Sequence, residues 1–149
     1  MKNKWLPVLL ASITIMAVFG GCTSDTTDIT TTDSGQYSIS IYMDDSLVDS
    51  VILDDLLALE QVSFTAENKD EEGPTLLSVL QSVGIDDFEE VTVAGLSKGR
   101  IAEAEITLTR SQVNEQVVLD ITNSGTSKLA SPDIPSNDWI IDVDELWVK

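Results

Sequence analysis

The chain has 149 residues, with 26 Asp or Glu side chains, 8 Lys or Arg, one cysteine and no histidine, and its formal net charge is −18. The lack of histidine excludes an imidazole general base, a Ser-His-Asp triad and histidine-ligated zinc or haem. A single cysteine excludes an internal disulfide and thiolate-rich zinc or iron–sulfur sites, and the negative charge argues against nucleic acid as a partner, because phosphate binding requires a basic face.

The N-terminal segment, residues 1–21, is typical of a secretory signal peptide. Lys2 and Lys4 form a short basic region, and residues 5–19 are almost entirely apolar. This stretch is shorter than the roughly 20 residues that a bilayer-spanning helix needs, so a transmembrane anchor is the less favoured alternative. Two small residues, Gly20 and Gly21, then precede the cysteine.

The sequence Phe19-Gly20-Gly21-Cys22 resembles the lipobox of prokaryotic lipoproteins, although that family prefers Leu at the position of Phe19. The resemblance implies cleavage before Cys22 and its acylation by fatty acids such as palmitate. Two buried acyl chains, at about 0.8 kcal/mol per CH₂, would anchor the protein stably. The alternative is an exported protein with a free Cys22, a thiol prone to oxidation. We therefore expect an extracytoplasmic lipoprotein bound to the cell membrane.

Residues 22–36 are predicted to form a disordered tether. Positions 23–34 contain six Thr, two Ser and three Asp, and Ile29 is their only large apolar residue. Such a composition buries too little apolar surface to offset the entropy of ordering the chain. The tether would hold the domain that follows away from the membrane.

Residues 37–149 have the length of one domain, which we predict to be α+β, mainly β with short helices. Apolar alternation predicts strands at 37–43 and 48–53, joined as a hairpin by a turn at 44–46. Further along, the sequence predicts a helical turn at 54–59, a strand at 61–66 and an acidic loop at 67–73.

The clearest helix is predicted at 74–83, where Pro74 suits the first position and Gly84 provides a left-handed stop. The remaining segments are predicted as strands at 89–94, 100–108, 116–121 and 139–148, a helical turn at 109–115 that Thr109 caps, and a long loop at 122–137.

The last predicted strand carries two tryptophans. Trp139 and Trp147 are eight residues apart, so an uninterrupted strand places both on one face. With Ile141 and Val143, this face is predicted to belong to the core, and an exposed aromatic platform is the alternative. The aspartates of the segment fall on the opposite face and are expected to meet solvent.

The order of segments carries a second resemblance. Its most specific part is residues 73–85, Gly-Pro-Thr-Leu-Leu-Ser-Val-Leu-Gln-Ser-Val-Gly-Ile, and weaker matches in spacing lie at 52–59, 62–65, 91–93, 106–108 and 139–148. Together they resemble the molybdopterin-binding domain of the sulfite oxidase superfamily, in the reduced form of small exported proteins.

This resemblance implies a fold but not an activity. Catalytic members bind molybdenum through a cysteine and hold the pterin phosphate with His and Arg, whereas this chain has no cysteine after Cys22 and only Arg100 and Arg110. We therefore expect no cofactor and no enzymatic activity, since a shared fold does not carry function. A molybdopterin-binding oxidoreductase or cofactor carrier is the alternative.

Acidic residues recur in pairs, and two acidic stretches flank the predicted helix, at 68–72 and 86–90. Converging carboxylates would suit a divalent cation, although no EF-hand spacing is present. The weak candidate ligands are Asp70, Glu72, Asp86 and Asp87. A solvated acidic surface is the favoured interpretation, and a glycosidase carboxylate pair has little support because acids are so plentiful.

The favoured functional prediction is a non-enzymatic binding or interaction domain for an unknown protein or small-molecule partner. The scarce positive charge concentrates near the 95–99 turn and in the long loop, and long loops of compact domains are often functional. The candidate ligand-binding residues are Ser97, Lys98, Arg100, Lys128 and Asp138. A loop that only connects two strands is the alternative.

Overall fold

The computed structural model describes residues 35–149, so the predictions made for residues 1–34, including acylation of Cys22, lie outside the described residues. Residues 35–149 contain nine strands, two α-helices and one short 3-10 helix, as a mainly β, α+β domain should. No helix in this part of the chain is long and apolar enough to cross a membrane.

The strands, in chain order, are β1 (Ser38–Met43), β2 (Ser46–Ile52), β3 (Gln61–Ala66), β4 (Lys69–Pro74), β5 (Glu90–Leu96), β6 (Glu103–Thr109), β7 (Val118–Ile121), β8 (Ser127–Ala130) and β9 (Ile141–Val148). The α-helices are α1 (Leu53–Ala58) and α2 (Leu76–Ser82), and the 3-10 helix spans Ser136–Asp138.

Seven strands form one sheet, in which five lie in the order β2-β1-β9-β5-β6. The central strand β9 runs parallel to β1 and antiparallel to β5, and β8 pairs with the start of β9 and with β7. Strands β3 and β4 form a separate hairpin. The last segment of the sequence therefore occupies the middle of the main sheet.

The main core lies on one face of this sheet, where strand residues such as Ile41, Val93 and Leu146 are fully buried together with Leu76 and Leu80 of α2. Buried residues recur at a spacing of two along the strands, as Ile39 and Ile41 do, and at a spacing of four on α2, which is why the sequence pattern identified both element types.

Helix α2 is shorter than predicted at its start. Thr75 is the N-cap, and its side chain accepts a hydrogen bond from the amide of Ser78 at 3.0 Å. Pro74 is therefore not the first helical residue but ends β4, because a threonine hydroxyl can bond a free helix amide. The stop was predicted correctly: Gly84 has a φ of +83°, which favours glycine.

The acidic loop predicted at 67–73 is wrong. Most of it is β4, which pairs with β3 around a two-residue turn where Glu67 and Asn68 both have positive φ. Charge alone suggested a loop, but alternate residues of β4 are sheltered, and Glu71 is only 4% exposed.

The predictions for 109–115 and 122–137 are also wrong in part. Residues 109–113 form the predicted turn, in which the amides of Gln112 and Val113 both donate to the Thr109 carbonyl and the Thr109 amide donates to Gln112 Oε1 at 2.9 Å, but the turn does not continue to 115. The segment 122–137 has the composition of a loop, but it contains the strand β8, in which Ser127 is buried.

β9 begins only after Trp139 and contains a bulge, so the uninterrupted strand predicted for residues 139–148 is not present. Ile141 pairs with Leu96 and Glu145 with Ala94, so three residues of β9 lie opposite one residue of β5. The two extra residues leave the alternation in phase across the bulge, so Ile141 and Trp147 share the outer face, whereas Val143 within the bulge and Leu146 after it are buried in the core.

The two tryptophans consequently lie in different places. Trp139 is buried in a small second cluster with Val118 and Ala130. Trp147 is half-buried and stacks on Tyr42, with ring centroids 4.1 Å apart and planes 8° from parallel. The common core face predicted from their spacing is wrong.

Gly73 sets how closely β4 approaches β7. A Cβ atom at this position would overlap the backbone carbonyl of Leu119, which no side-chain rotation can relieve. Beside this contact, Thr75 forms an isolated bridge with Val118. The crossing thus requires glycine for lack of space and not for its backbone conformation.

We expect Gly73→Ala to lower the free energy of unfolding strongly, at or above the upper end of the about 1–3 kcal/mol typical of overpacking. Gly84→Ala is the control. A Cβ atom at residue 84 would meet no atom within 4 Å, so this variant should lose only the about 1–2 kcal/mol that a positive φ costs a residue other than glycine. Urea denaturation of both variants measures the difference. Equal stability of the two would contradict the close crossing.

Candidate functional site

A recess of about 190 Å³ lies between the β3–β4 hairpin, β8 and the start of β9. We call it the lysine recess, because its lining includes three lysines. The lining residues that matter below are Glu67, Lys69, Glu71, Lys98, Lys128 and Trp139.

Lys128 forms the inner wall of the lysine recess. Its Nζ lies 2.5 Å from Glu71 Oε2 and 3.1 Å from Asp120 Oδ2, and 5.1 Å from the centre of the Trp139 ring. The other oxygen of Asp120 accepts the amide hydrogen of Glu72 at 3.1 Å. One ammonium therefore connects β4, β7 and β8, and this contact is primarily structural.

The three groups perturb each other's protonation. Burial raises the pKa of the Glu71 carboxyl and Asp120 raises it further, while Lys128 opposes both. Burial acts to lower the pKa of Lys128, but hydrogen bonds to Glu71 and Asp120 outweigh it, so the net shift is upward. Two carboxylates thus share one ammonium that stays charged at neutral pH.

The outer wall of the lysine recess comes from exposed residues. Lys98 Nζ lies 3.3 Å from Ser136 Oγ and 3.4 Å from Asn137 Oδ1, and Ser136 in turn donates to Glu67. Within residues 35–149, neither Lys98 nor Lys69 forms an ion pair. These two ammonium groups are the ones that a bound anion would meet.

The structure brings two of the five predicted ligand-binding residues, Lys98 and Lys128, into one recess. Ser97 and Asp138 instead line a neighbouring recess beside β6. Ser97 also accepts the amide hydrogen of Ala102 at 3.2 Å and so closes the turn.

Arg100 is engaged by the β9 bulge. Its Nε and a terminal nitrogen both donate to Asp142, the second at 2.9 Å to Oδ1, and Thr126 also donates to this carboxylate. The guanidinium of Arg100 lowers the pKa of Asp142. The prediction that Asp142 simply faces solvent is wrong, because the bulge turns it toward the 97–100 turn.

Sequence reasoning missed the contributions of Glu67, Lys69, Glu71 and Trp139. The first three belong to the part of the β3–β4 hairpin that was predicted to be a loop. The sequence does contain a signal for the hairpin, because Glu67-Asn68 suits a two-residue turn between two strands. Trp139 was expected in the main core, and only the topology shows that it lines the recess.

The metal candidates do not form a site together. Within residues 35–149, no group of three or more acidic side chains is arranged to hold a metal ion, so Asp70, Glu72, Asp86 and Asp87 do not converge. Asp70 accepts a hydrogen bond from Thr65 at 2.7 Å across the hairpin.

Comparison of the sequence with protein-family models and with curated proteins found no match. The interpretation of the lysine recess rests on its own geometry.

We expect Lys128→Met to lower the free energy of unfolding at pH 7 by about 3 kcal/mol, because it leaves Glu71 buried without a cation. Burial raises the pKa of Glu71, so the loss should shrink as the pH falls from 7 and Glu71 takes up a proton, which leaves only the partly buried Asp120 without its cation. Chemical denaturation at several pH values measures this.

Two control variants complete this test. Lys149→Met removes an exposed ammonium that, among residues 35–149, pairs only with Glu90, and it should lower the free energy of unfolding little. Adding Glu71→Gln to Lys128→Met should recover part of the stability at pH 7. A Lys128→Met loss that is independent of pH, or a double variant no better than the single one, would contradict the buried network.

Proposed function

We propose that this chain is an extracytoplasmic lipoprotein whose folded domain is a non-enzymatic binding module, and that the lysine recess binds a small molecule bearing a carboxylate or phosphate group. One observation carries the proposal: three of the four lysines in residues 35–149 line a single recess, although the chain as a whole is strongly acidic.

The charges within the recess favour a small anion. Lys128 is neutralised by Glu71 and Asp120, but Lys69 and Lys98 have no carboxylate within ion-pair distance in residues 35–149. Charge-assisted hydrogen bonds from ammonium groups to oxyanions are among the stronger ones that proteins form. The ring of Trp139 adds an apolar surface against which the carbon skeleton of such a ligand can pack.

Size narrows the ligand further. Sites for drug-sized molecules typically have about 300–1,000 Å³, and the lysine recess is smaller. An extended polyanion would also meet the surrounding acidic surface, which repels it. We therefore favour a compact organic acid or phosphate over a nucleotide or polymer.

We also propose that the domain shares the fold of the sulfite oxidase molybdopterin-binding domain without holding its cofactor. This proposal rests on the sequence resemblance, whose most specific segment, residues 73–85, contains α2. The two arginines of the chain, neither of which lies in a motif that matches the family, have other contacts: Arg100 pairs with Asp142, and Arg110 lies 5.2 Å from the centre of the Phe88 ring. This use supports the cofactor-free proposal over the oxidoreductase alternative.

The ligand proposal predicts that the purified full-length protein in detergent binds members of a panel of lactate, succinate, citrate and inorganic phosphate. Lys98→Gln should weaken binding of the best of these at least tenfold, because the neutral amide of glutamine cannot pair with the negative charge of the ligand. Lys149→Gln removes the same charge at a distant site and should change affinity less than twofold. Isothermal titration calorimetry measures both, and binding to none of the four, or equal losses in both variants, would refute the proposal.

The anchor proposal predicts that mass spectrometry of protein from a lipoprotein-processing bacterial host finds Cys22 as an acylated N-terminal residue. Cys22→Ser should shift the protein from the membrane fraction to the soluble fraction, because acylation requires the thiol. An unmodified Cys22 in a full-length, membrane-free product would contradict the anchor and leave the ligand proposal untouched.

A further inference from the structure

The edge of the main sheet at β6 is open. Within residues 35–149, β6 pairs only with β5, so the backbone groups on its other side have no strand partner. An open edge of seven residues can accept an added strand from another protein.

The two faces of β6 differ in chemistry. On the outer side, away from the core, Glu103, Glu105 and Thr107 are exposed. On the inner side, Ala104 and Ile106 are only half-buried and line a recess of about 350 Å³. An added strand, whose side chains alternate between the faces, would meet carboxylates on one face and apolar groups on the other.

The outer side of β6 continues into an acidic groove of about 570 Å³, lined by Glu103, Glu105, Asp144 and Glu145. None of these four forms an ion pair within the described part of the chain. Burial, with Glu145 and Glu103 adding to it, raises the pKa of Asp144, as expected where carboxylates lack a cation.

One carboxylate of the groove is oriented by Trp147, although Trp147 itself lines a different recess, with Asp44 and Asp45. Trp147 Nε1 donates to Glu145 Oε2 at 2.8 Å and fixes this carboxylate beside the groove. Register places Trp147 next to Tyr42 on one side and Thr92 on the other, so the stacked rings lie on the same outer face as Glu145. The carboxylates of the groove, and not these rings, are therefore the groups that an entering basic side chain would meet.

From these features we infer that β6 is a docking edge for an extended segment of a partner protein that alternates basic and apolar residues. Its backbone extends the sheet, its basic side chains enter the acidic groove, and its apolar ones cover Ala104 and Ile106. A second copy of this chain is disfavoured, since β6 contains no basic residue and both copies are strongly negative.

The test uses the full-length protein and a nine-residue peptide that alternates lysine and valine. A peptide of the same composition with its lysines and valines in blocks is the pattern control. We expect the alternating peptide to shift the amide resonances of β6 and to bind at least tenfold more tightly than the block peptide, because only alternation satisfies both faces.

Two double variants separate local from general charge effects. Glu103→Gln/Glu105→Gln should weaken the alternating peptide at least tenfold. Asp44→Asn/Asp45→Asn removes the same charge from the β1–β2 turn, at the other side of the sheet, where both residues have positive φ that asparagine tolerates, and should weaken it less than twofold. Equal losses in both variants, equal binding of the two peptides, self-association through β6, or no binding would each overturn the inference.

Discussion

The described domain depends on the insertion of β9 between β1 and β5. This strand is the last in the sequence, yet it buries Val143, Leu146 and Val148 at the centre of the sheet. The start of the domain is fastened to it, because the hydroxyl of Tyr37 donates to the carbonyl of Val143, and burial raises the pKa of this hydroxyl to about 12. Pairings between residues this far apart in sequence close only after most of the chain is in place.

The bulge in β9 decides which surface each residue of the strand reaches. Before the bulge, Ile141 pairs with Lys128 and lines the lysine recess. After it, Glu145 lies on the outer face and lines the acidic groove, and Trp147 lies on the same face. Asp142 adopts a φ of +50° at the bulge and is held there by Arg100. One irregular segment therefore supplies both candidate binding surfaces.

Much of the fold was predictable because its signals are local. The β1–β2 hairpin, the strand at β5 and the end of α2 at Gly84 follow from alternation, helical spacing and a left-handed stop. The predictions that failed concern elements that depend on distant partners. β4 carries charged residues, and its Glu71 can be buried because it pairs with Lys128, 57 residues later in the chain. Sequence patterns record which residues tolerate burial, and not which partner makes burial possible.

The candidate site was predictable to the same extent. Scarcity of positive charge directed attention to Lys98 and Lys128, and the structure places both on the lysine recess. Trp139 and Trp147 lie in different surroundings because β9 begins only at Ile141, after Trp139, and because the face that carries Ile141 and Trp147 is the outer one. A two-residue shift in register cannot be read from composition, because alternation is intact on either side of it.

The lysine recess and the acidic groove can coexist because electrostatic interactions in salt are short-ranged. At physiological ionic strength the Debye length is about 8 Å, so a small ligand is governed by the charges within the first few contacts and much less by the net charge of −18. Lys69 and Lys98 then dominate at the recess, whereas Glu103 and Glu105 dominate at β6. The net charge still acts on large partners, whose many charges sample the whole surface, and it favours basic ones. The same acidic domain is thus suited to a small anion at one surface and to a cationic chain segment at another.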